Sequence, residues 1–189
     1  MTTIYLIRHG QASFGAESYD KLSPNGELQA KLLGQYFNKI LKEEPYVVAG
    51  SMQRHQQTAN LALAECFPEA SIVTDHAWNE FNHQQVFAQY EPRFNEPHLL
   101  KADVENETNP RAYLAKIFEG AIERWTGGDY HHEYDESWPD FKNRVETALQ
   151  NLSDELAKTK PRYAVVFTSG GVISVAAGKL LELSANRTF

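Results

Sequence analysis

Three short segments carry side chains that could bind or transfer an anionic group. They are Arg8-His9-Gly10, the run 50–54 (Gly-Ser-Met-Gln-Arg), and Ser169-Gly170-Gly171. A neutral imidazole can attack phosphorus, and paired guanidiniums match phosphoryl oxygens and neutralise charge that develops in the transition state. Glycines beside helix amino termini add backbone N–H donors for the same oxygens. These residue types favour phosphoryl chemistry, although Arg-His-Gly alone also fits a polar histidine at a strand end.

Each of the three segments follows a predicted strand. Apolar runs predict strands over residues 3–7, 46–49, 71–74 and 163–167, with apolar residues at helical spacing between them. Strands that alternate with helices predict a three-layer α/β/α fold, in which helices cover both faces of a mostly parallel sheet. Ligands of such folds bind beyond the carboxyl ends of the strands. We therefore expect the three segments to converge.

The helix boundaries are marked by caps and prolines. Ser23 is a suitable N-cap, Pro24 fits the first helical position, and Pro45 ends the helix. The apolar residues at helical spacing in this helix are Leu28, Leu32, Leu33, Tyr36, Phe37, Ile40 and Leu41. A second helix follows Ser51 and ends at Phe67-Pro68, and the last helix is predicted over 172–183.

Residues 78–136 have a different character, with little strand signal, three prolines, many amides and aromatics, and one clear helix at about 110–125. We interpret them as a largely helical lid inserted into one domain of residues 1–189. Ser137-Trp138-Pro139-Asp140 resembles a capping box and predicts a long helix after the lid. The aromatic side chains of the lid are expected to form its core in the main, with one or two contacting a substrate.

Composition limits the functional classes. A chain of 189 residues with 42% hydrophobic content can bury one substantial core. The short apolar start before Arg8 is typical of a first strand rather than a signal peptide, and no run approaches the roughly 20 apolar residues of a membrane span. Cys66 is the single cysteine, so an intrachain disulfide and a thiolate metal cluster are excluded and a cytoplasmic location is expected. The net charge of -7 argues against nucleic-acid and membrane partners.

Five motifs together resemble the histidine phosphatase superfamily, the phosphoglycerate mutase-like proteins. They occupy residues 6–10 (Leu-Ile-Arg-His-Gly), 22–30 (Leu-Ser-Pro-Asn-Gly-Glu-Leu-Gln-Ala), 50–59 (Gly-Ser-Met-Gln-Arg-His-Gln-Gln-Thr-Ala), 78–81 (Trp-Asn-Glu-Phe) and 165–173 (Val-Val-Phe-Thr-Ser-Gly-Gly-Val-Ile). Their order and spacing agree with the family over most of the chain. The lid carries no further motif of the family.

The resemblance implies a two-step reaction without a metal or an organic cofactor. His9 would take the phosphoryl group, and water or an acceptor hydroxyl would then remove it. Arg8, Arg54 and the Gly170 amide would hold the phosphoryl oxygens. Glu80 would protonate the leaving alkoxide and then activate the acceptor, which requires it to be protonated part of the time near neutral pH. Without the family context, Glu80 fits a solvated loop carboxylate equally well.

The sequence departs from the family at Ser169, where a second histidine usually donates to the phosphoryl group. Residues 168–171 (Thr-Ser-Gly-Gly) resemble those of a subgroup with this replacement. Losing a charge-assisted contact would cost on the order of 2 to 4 kcal/mol in the transition state. We expect another imidazole to compensate, and His83, three residues after Glu80, is the first candidate. His55 is the second, although its helical position favours an exposed side chain.

The most favoured function is hydrolysis of a phosphomonoester, either a small phosphorylated metabolite or a phosphorylated protein side chain, with phosphate or another oxyanion in the pocket. A mutase is the nearest alternative, and it would need extra cations to retain a doubly phosphorylated intermediate. The segment between Glu80 and Ser137 has only Arg93, Lys101, Arg111, Lys116 and Arg124. This scarcity favours hydrolysis. A non-catalytic phospho-ligand-binding module is the third hypothesis, because of Ser169.

Two other chemistries are less favoured. The acidic and histidine residues of 129–136 have no closed zinc or calcium spacing and fit a solvated loop better. Ser169 as a hydrolase nucleophile lacks the first glycine of the nucleophile elbow. The family fold usually continues beyond the last helix into another strand, whereas residues 184–189 follow it here. An open sheet edge would leave a homodimer as a further expectation.

Overall fold

The computed structural model describes residues 1–13 and 20–183. The chain forms two compact units. The first comprises Met1–Glu80 and Val145–Ala176, and the second comprises Phe81–Arg144 together with the described residues 177–183. The second unit therefore contains most of the segment that we interpret as a lid, with different bounds. Residues 14–19 and the terminal segment 184–189 lie outside the described residues.

The first unit is built on a four-stranded sheet of order β1-β4-β2-β3, in which all paired strands are parallel. The strands are β1 (Thr3–Arg8), β2 (Tyr46–Ala49), β3 (Ile72–Thr74) and β4 (Tyr163–Thr168). All six residues of β4 are buried, as expected for a central strand with paired neighbours on both sides. The predicted strands and the α/β fold are confirmed.

The register of the sheet brings the three candidate segments to one edge. Arg8 pairs with Thr168, and Ala49 pairs with Phe167. Backbone hydrogen bonding continues one residue further, since the His9 amide donates to the Thr168 carbonyl (2.9 Å) and the Gly50 amide donates to the Phe167 carbonyl (3.0 Å). The residues that follow β1, β2 and β4 are thus neighbours at the carboxyl ends of the strands.

Helices α1 (Pro24–Ile40) and α2 (Gln53–Ala64) pack together in the first unit. Ser23 is the N-cap of α1, and its hydroxyl accepts the Gly26 amide at 3.1 Å, as predicted. The core beneath these helices includes the following residues: Phe37, Leu41, Val47, Leu63, Val165 and Phe167.

The apolar spacing of α1 contains two faces rather than one. Phe37 and Ala30 are buried, but Leu28, Leu32 and Tyr36 are 54%, 53% and 56% exposed. These three residues are four apart, so they share a face that lies away from the core. Apolar residues four apart alone therefore do not show which face of a helix is buried.

Helix α6 (Trp138–Thr159) and helix α7 (Gly170–Leu180) complete the elements of the first unit, and each continues into the second. The capping box at the start of α6 is confirmed, because Ser137 and Asp140 exchange hydrogen bonds, with Oγ and Oδ2 2.5 Å apart. The last helix begins two residues earlier than predicted and ends at Leu180. Across the described ranges, no helix has the length and apolar character needed to cross a membrane.

The second unit has more helical structure than the single helix predicted for it. Its helices are α3 (His83–Tyr90), α4 (Pro97–Asn106) and α5 (Pro110–Thr126), with short 3-10 turns at Pro92–Asn95 and His131–Glu133. An aromatic cluster centres on Trp125, whose ring lies 4.6 Å from that of Phe81. The other members are Tyr134, Trp138 and Phe141.

The glutamates near position 131 form ion pairs within the second unit. Glu133 pairs with Arg124 at 2.6 Å, and Glu136 pairs with Arg144 at the same distance. Among the residues that the structure describes, no group of three or more histidine, cysteine, aspartate and glutamate side chains is arranged to hold a metal ion.

Candidate active site

His9 lies at the end of β1 with its two ring nitrogens in different environments. Nδ1 is 2.7 Å from the Gly10 carbonyl oxygen, which can only accept, so Nδ1 carries the hydrogen. Nε2 accepts a hydrogen bond from Arg54 Nε at 3.2 Å. These two contacts assign the tautomer of the neutral ring and leave the lone pair on Nε2.

The surroundings of His9 also keep its ring neutral. The pKa of His9 is lowered to about 4, chiefly by burial and also by the charges of Arg54 and Arg8, against the raising effects of the Gly10 hydrogen bond and Asp20. A histidine with this pKa is deprotonated at neutral pH. Nε2 therefore carries the lone pair that a nucleophilic reaction requires, and its hydrogen bond from Arg54 Nε would have to be released before Nε2 could bond to phosphorus.

A close approach between two glycines shapes the loop around His9. A Cβ atom on Gly10 would lie 2.4 Å from the Gly26 carbonyl oxygen, so a larger residue does not fit. The Gly10 amide donates to Thr58 Oγ1 at 3.1 Å, and the Thr58 hydroxyl donates to the Arg54 carbonyl at 2.7 Å. The loop after β1 is thereby joined to the first turn of α2.

Arg54 is only 4% exposed, and its guanidinium contacts two partners. Nε donates to His9, while Nη1 lies 2.7 Å from Asp20 Oδ1. The second carboxylate oxygen of Asp20 accepts the Gln53 amide at 2.8 Å. The sequence does not indicate a role for Asp20, because no motif or periodicity connects it to Arg54, which is 34 residues away.

Arg8 lies beside the amino terminus of α7. A Cβ atom placed on Gly170 would be 3.7 Å from Arg8 Nε, so the guanidinium runs alongside this glycine. The first backbone amides of a helix lack intrahelical partners and favour anions. Arg8 and the start of α7 are therefore suitably placed to bind one anionic group.

Glu80 accepts a hydrogen bond from the Gly171 amide, with Oε2 3.0 Å from the nitrogen. The residues before Glu80 are attached to the strand ends. The buried Thr168 hydroxyl donates to the Trp78 carbonyl at 2.5 Å, and the Ser51 amide donates to Asn79 Oδ1 at 2.8 Å. These contacts place the Glu80 carboxylate at the carboxyl edge of the sheet instead of in a solvated loop.

Ser169 and His55 are both completely buried and contact each other. Ser169 Oγ lies 2.6 Å from His55 Nε2, and the His55 ring centroid is 5.6 Å from that of His9. The expectation of an exposed His55 was wrong. The first turn of α2 faces the sheet edge, so the residue after Arg54 points inward.

The tautomer of His55 follows from its surroundings. Its pKa is lowered to about 3, first by burial and then by the charge of Arg54 and by His9, so the ring is neutral and has one N–H. Nδ1 has no hydrogen-bond partner among the described residues and lies against Gly50, where a Cβ atom would be 2.2 Å away. A buried unpaired N–H costs roughly 1–3 kcal/mol, whereas unpaired acceptors are better tolerated. The hydrogen therefore belongs on Nε2, which donates to Ser169.

Comparison with protein families decides the relationship of this chain. The model of the histidine phosphatase superfamily (branch 1) matches residues 4–189. The chain belongs to this superfamily. No curated protein matches the chain significantly.

Solved structures of a phosphoglycerate mutase and of phosphatases share the fold at low sequence identity. A phosphoglycerate mutase from Bacillus anthracis aligns with a TM-score of 0.66 and 19% identity, over 95% of this chain and 79% of its own. The alpha-ribazole phosphatase from Shigella flexneri gives 0.62 and 21%, over 98% and 82%. A mycobacterial glucosyl-3-phosphoglycerate phosphatase complexed with VO3 gives 0.60 and 21%, over 97% and 84%.

The sequence-predicted residues of the superfamily site divide between the two units. His9, Arg54, Glu80 and Ser169, with Arg8 and Gly170, lie in the first unit. His83 belongs to the second unit, where it begins α3 and its ring packs edge-on against Phe87 with centroids 6.2 Å apart. Its compensating role stays a prediction.

Proposed function

We propose that the chain is a metal-independent phosphatase that hydrolyses a phosphomonoester through a phosphohistidine on His9. The observation that carries this proposal is the tautomer of His9, whose Nε2 lone pair faces Arg54 while Nδ1 is held by the Gly10 carbonyl. In the first step, Nε2 forms a bond to phosphorus and the ester P–O bond breaks. Protonated Glu80 gives its proton to the leaving alkoxide.

The second step restores the enzyme. A water molecule loses a proton to the Glu80 carboxylate and attacks phosphorus, and the P–N bond to His9 breaks. Inorganic phosphate leaves, Nε2 regains its lone pair, and Glu80 is protonated for the next cycle. Arg8, Arg54 and the Gly170 amide would hold the phosphoryl oxygens throughout. Because these groups bind the phosphoryl oxygens directly, the proposal requires no metal or organic cofactor.

The comparisons support this class of reaction in general terms. The superfamily is named for histidine phosphatases, and the structural neighbours carry the names of phosphatases and of a phosphoglycerate mutase. Substrates of the same broad class, small phosphorylated metabolites or phosphorylated protein side chains, are the proposed partners. A cytoplasmic location is part of the proposal and rests on the sequence, chiefly on Cys66 as the single cysteine.

Hydrolysis is favoured over mutase activity because three of the five cations between Glu80 and Ser137 are paired with carboxylates. Arg93 is bonded to Asp103 at 3.1 Å, Arg124 to Glu133 at 2.6 Å, and Lys101 lies 3.9 Å from Glu105. Cations already paired with carboxylates hold a second phosphate less strongly. A phosphomonoester assay that separates transfer to water from transfer to an acceptor hydroxyl would distinguish the two reactions.

The proposal is tested by hydrolysis of an aryl phosphate and a panel of alkyl phosphomonoesters in the presence of a metal chelator. We expect turnover by the unmodified protein and its loss, by at least about 10⁴-fold in kcat, in His9→Ala. Acid-labile phosphate on the protein should be trapped in the unmodified chain and be absent from the variant. The matched control is His98→Ala, which removes an exposed imidazole of the second unit.

Two results would contradict the proposal. Turnover that survives His9→Ala would exclude His9 as the nucleophile. No turnover in any protein, with inorganic phosphate still bound through Arg8 and Arg54, would instead support a non-catalytic phospho-ligand-binding module.

A further inference from the structure

Ser169 and His55 form a buried pair directly beside the proposed nucleophile. Both side chains have no exposed surface, and Ser169 Oγ and His55 Nε2 are 2.6 Å apart. The contact is not local in sequence, since the two positions are 114 residues apart. The pair exists because β4 and the first turn of α2 meet at the same edge of the sheet.

The location of the pair is determined by backbone contacts on both sides. The His9 amide donates to the carbonyl of Thr168, so Ser169 follows immediately after the residue that pairs with His9. On the other side, the Gly10 amide and the Arg54 carbonyl are connected through the Thr58 hydroxyl. His55 therefore approaches the site from α2, and its ring lies 5.6 Å from that of His9 between centroids.

The direction of the hydrogen bond determines what the serine can do. The neutral His55 ring donates from Nε2, so Ser169 Oγ is the acceptor and keeps its own hydrogen for another partner. A hydroxyl that accepts one hydrogen bond becomes a better donor in the next. The orphan amide of Gly171 at the start of α7 is satisfied by Glu80. Among the residues that the structure describes, Ser169 Oγ has no hydrogen-bond partner besides His55, so its own hydrogen is left for a phosphoryl oxygen.

We propose that Ser169 and His55 act together as the hydrogen-bond donor that the superfamily usually takes from one second histidine. The Ser169 hydroxyl donates to a phosphoryl oxygen, and His55 orients and polarises that hydroxyl. Ser169 is then a catalytic residue and His55 a positioning residue. This inference rests on the proposed function, in which the phosphoryl group is transferred to His9.

The same geometry opposes a serine nucleophile activated by His55. A general base would need a lone pair on Nε2, and the hydrogen would then move to Nδ1, which lies against Gly50. Nδ1 has no acceptor among the residues that the structure describes. The pair is built to donate towards the site instead of taking a proton from the serine.

A first test measures the protonated nitrogen without any substrate. Long-range ¹H–¹⁵N spectra at neutral pH should show His55 protonated on Nε2 and His9 protonated on Nδ1. His55→Gln and His9→Gln assign the two sets of signals. A His55 ring protonated on Nδ1 would overturn the proposal, whether or not the protein has activity.

A second test is a mutant cycle with an exchange variant. We expect Ser169→Ala and His55→Ala each to lower kcat by about 100-fold with a small change in KM, because each removes one donor to the transition state. The double variant His55→Ala/Ser169→Ala should lose no more than a few-fold beyond either single variant. If the two residues contributed independently, the fold loss in kcat of the double variant would be the product of the two single losses.

The exchange variant His55→Ala/Ser169→His returns the imidazole to the position that the superfamily usually uses, with nearly conserved volume. It should recover at least about tenfold in kcat over His55→Ala. A purely structural role predicts lower thermal stability in His55→Ala, a near-silent Ser169→Ala and no recovery in the exchange variant. Those results would overturn the proposal.

The outcomes separate this inference from the proposed function. If His9→Ala abolishes turnover but Ser169→Ala stays within twofold of the unmodified protein, the function stands and the pair has no catalytic role. If the unmodified protein lacks turnover, vanadate binding is measured instead, and the pair predicts at least about tenfold weaker binding in both single variants. Unchanged vanadate binding would overturn the proposal.

Discussion

The end of β1 and the first turn of α2 each present a neutral histidine, half-buried at His9 and fully buried at His55, and the two rings carry their hydrogens on opposite nitrogens. At the end of β1, the Gly10 carbonyl holds Nδ1–H of His9 and leaves a lone pair on Nε2. On α2, Nδ1 of His55 lies against Gly50, and Nε2–H donates to the Ser169 hydroxyl. The Gly10 carbonyl is thus what distinguishes the proposed nucleophile, His9, from the proposed hydrogen-bond donor, His55.

The two regions also differ in how their chains are held. His9 follows a strand whose pairing continues through its own amide, so its backbone position is determined by the sheet. His55 depends on the packing of α2, and its ring occupies space that only a glycine at position 50 leaves open. The chemical role of each imidazole therefore comes from its neighbours, since the side chains are identical.

Arg54 connects the two regions, and its replacement by lysine is expected to lower activity strongly. Arg54→Lys removes the Nε contact to His9 and the fork that also reaches Asp20. We expect kcat/KM to fall by about 10²- to 10³-fold with little change in thermal stability. The measurement is steady-state hydrolysis of an alkyl phosphomonoester.

The matched control for Arg54 is Arg162→Lys. Arg162 precedes β4 and therefore lies at the opposite end of the strands from His9. Equal losses in the two variants would indicate a general effect of arginine removal and contradict a specific role of Arg54.

The pH dependence of stability tests whether both rings are neutral in the folded chain. The folded pKa values of about 4 for His9 and about 3 for His55 lie below the unfolded value near 6.5. The unfolded chain therefore binds more protons below pH 6.5, and the free energy of unfolding falls as the pH decreases from 6.5 towards these values. We expect His55 to account for about 2–4 kcal/mol of this loss.

Chemical denaturation between pH 7 and pH 4 measures this loss. His55→Asn should flatten the dependence, whereas the exposed His98→Ala should leave it unchanged. If His55→Asn retains the full pH dependence of the free energy of unfolding, His55 is not buried in the neutral form and does not match His9 in this respect.

Asp20 gives the smallest expected effect. Its carboxylate, 41% exposed as a side chain, occupies Nη1 of Arg54 and lowers the positive potential available to a phosphate. Asp20→Asn should therefore tighten vanadate or phosphate binding by about 2- to 5-fold, as expected for a partly exposed ion pair. Isothermal titration at constant ionic strength measures the affinity.

The control for Asp20 is Asp154→Asn on α6, which removes the same charge from an exposed position. Weaker anion binding in Asp20→Asn alone would mean that the carboxylate chiefly orients Arg54. That result would mean that Asp20 positions Arg54 beside His9.

Much of the fold could be predicted from local sequence. Buried strands appear as continuous apolar runs, and the caps at Ser23 and Ser137 are short-range hydrogen bonds within a few residues. The exposed row on α1 was missed, because four-residue spacing fits any face of a helix. The helices of the second unit were underestimated, since its amides, aromatics and prolines weaken the apolar periodicity.

The sequence by itself determined the family, the strand ends and the order of the residues that follow them, because these depend on motifs and on neighbours along the chain. Only the tertiary structure decided which way His55 points, that Asp20 reaches Arg54, and which nitrogen of each histidine carries the hydrogen. The reason is physical. Apart from the contact of His9 with the adjacent Gly10 carbonyl, these features depend on contacts between residues more than 30 positions apart and on burial, which lowers the pKa of both imidazoles.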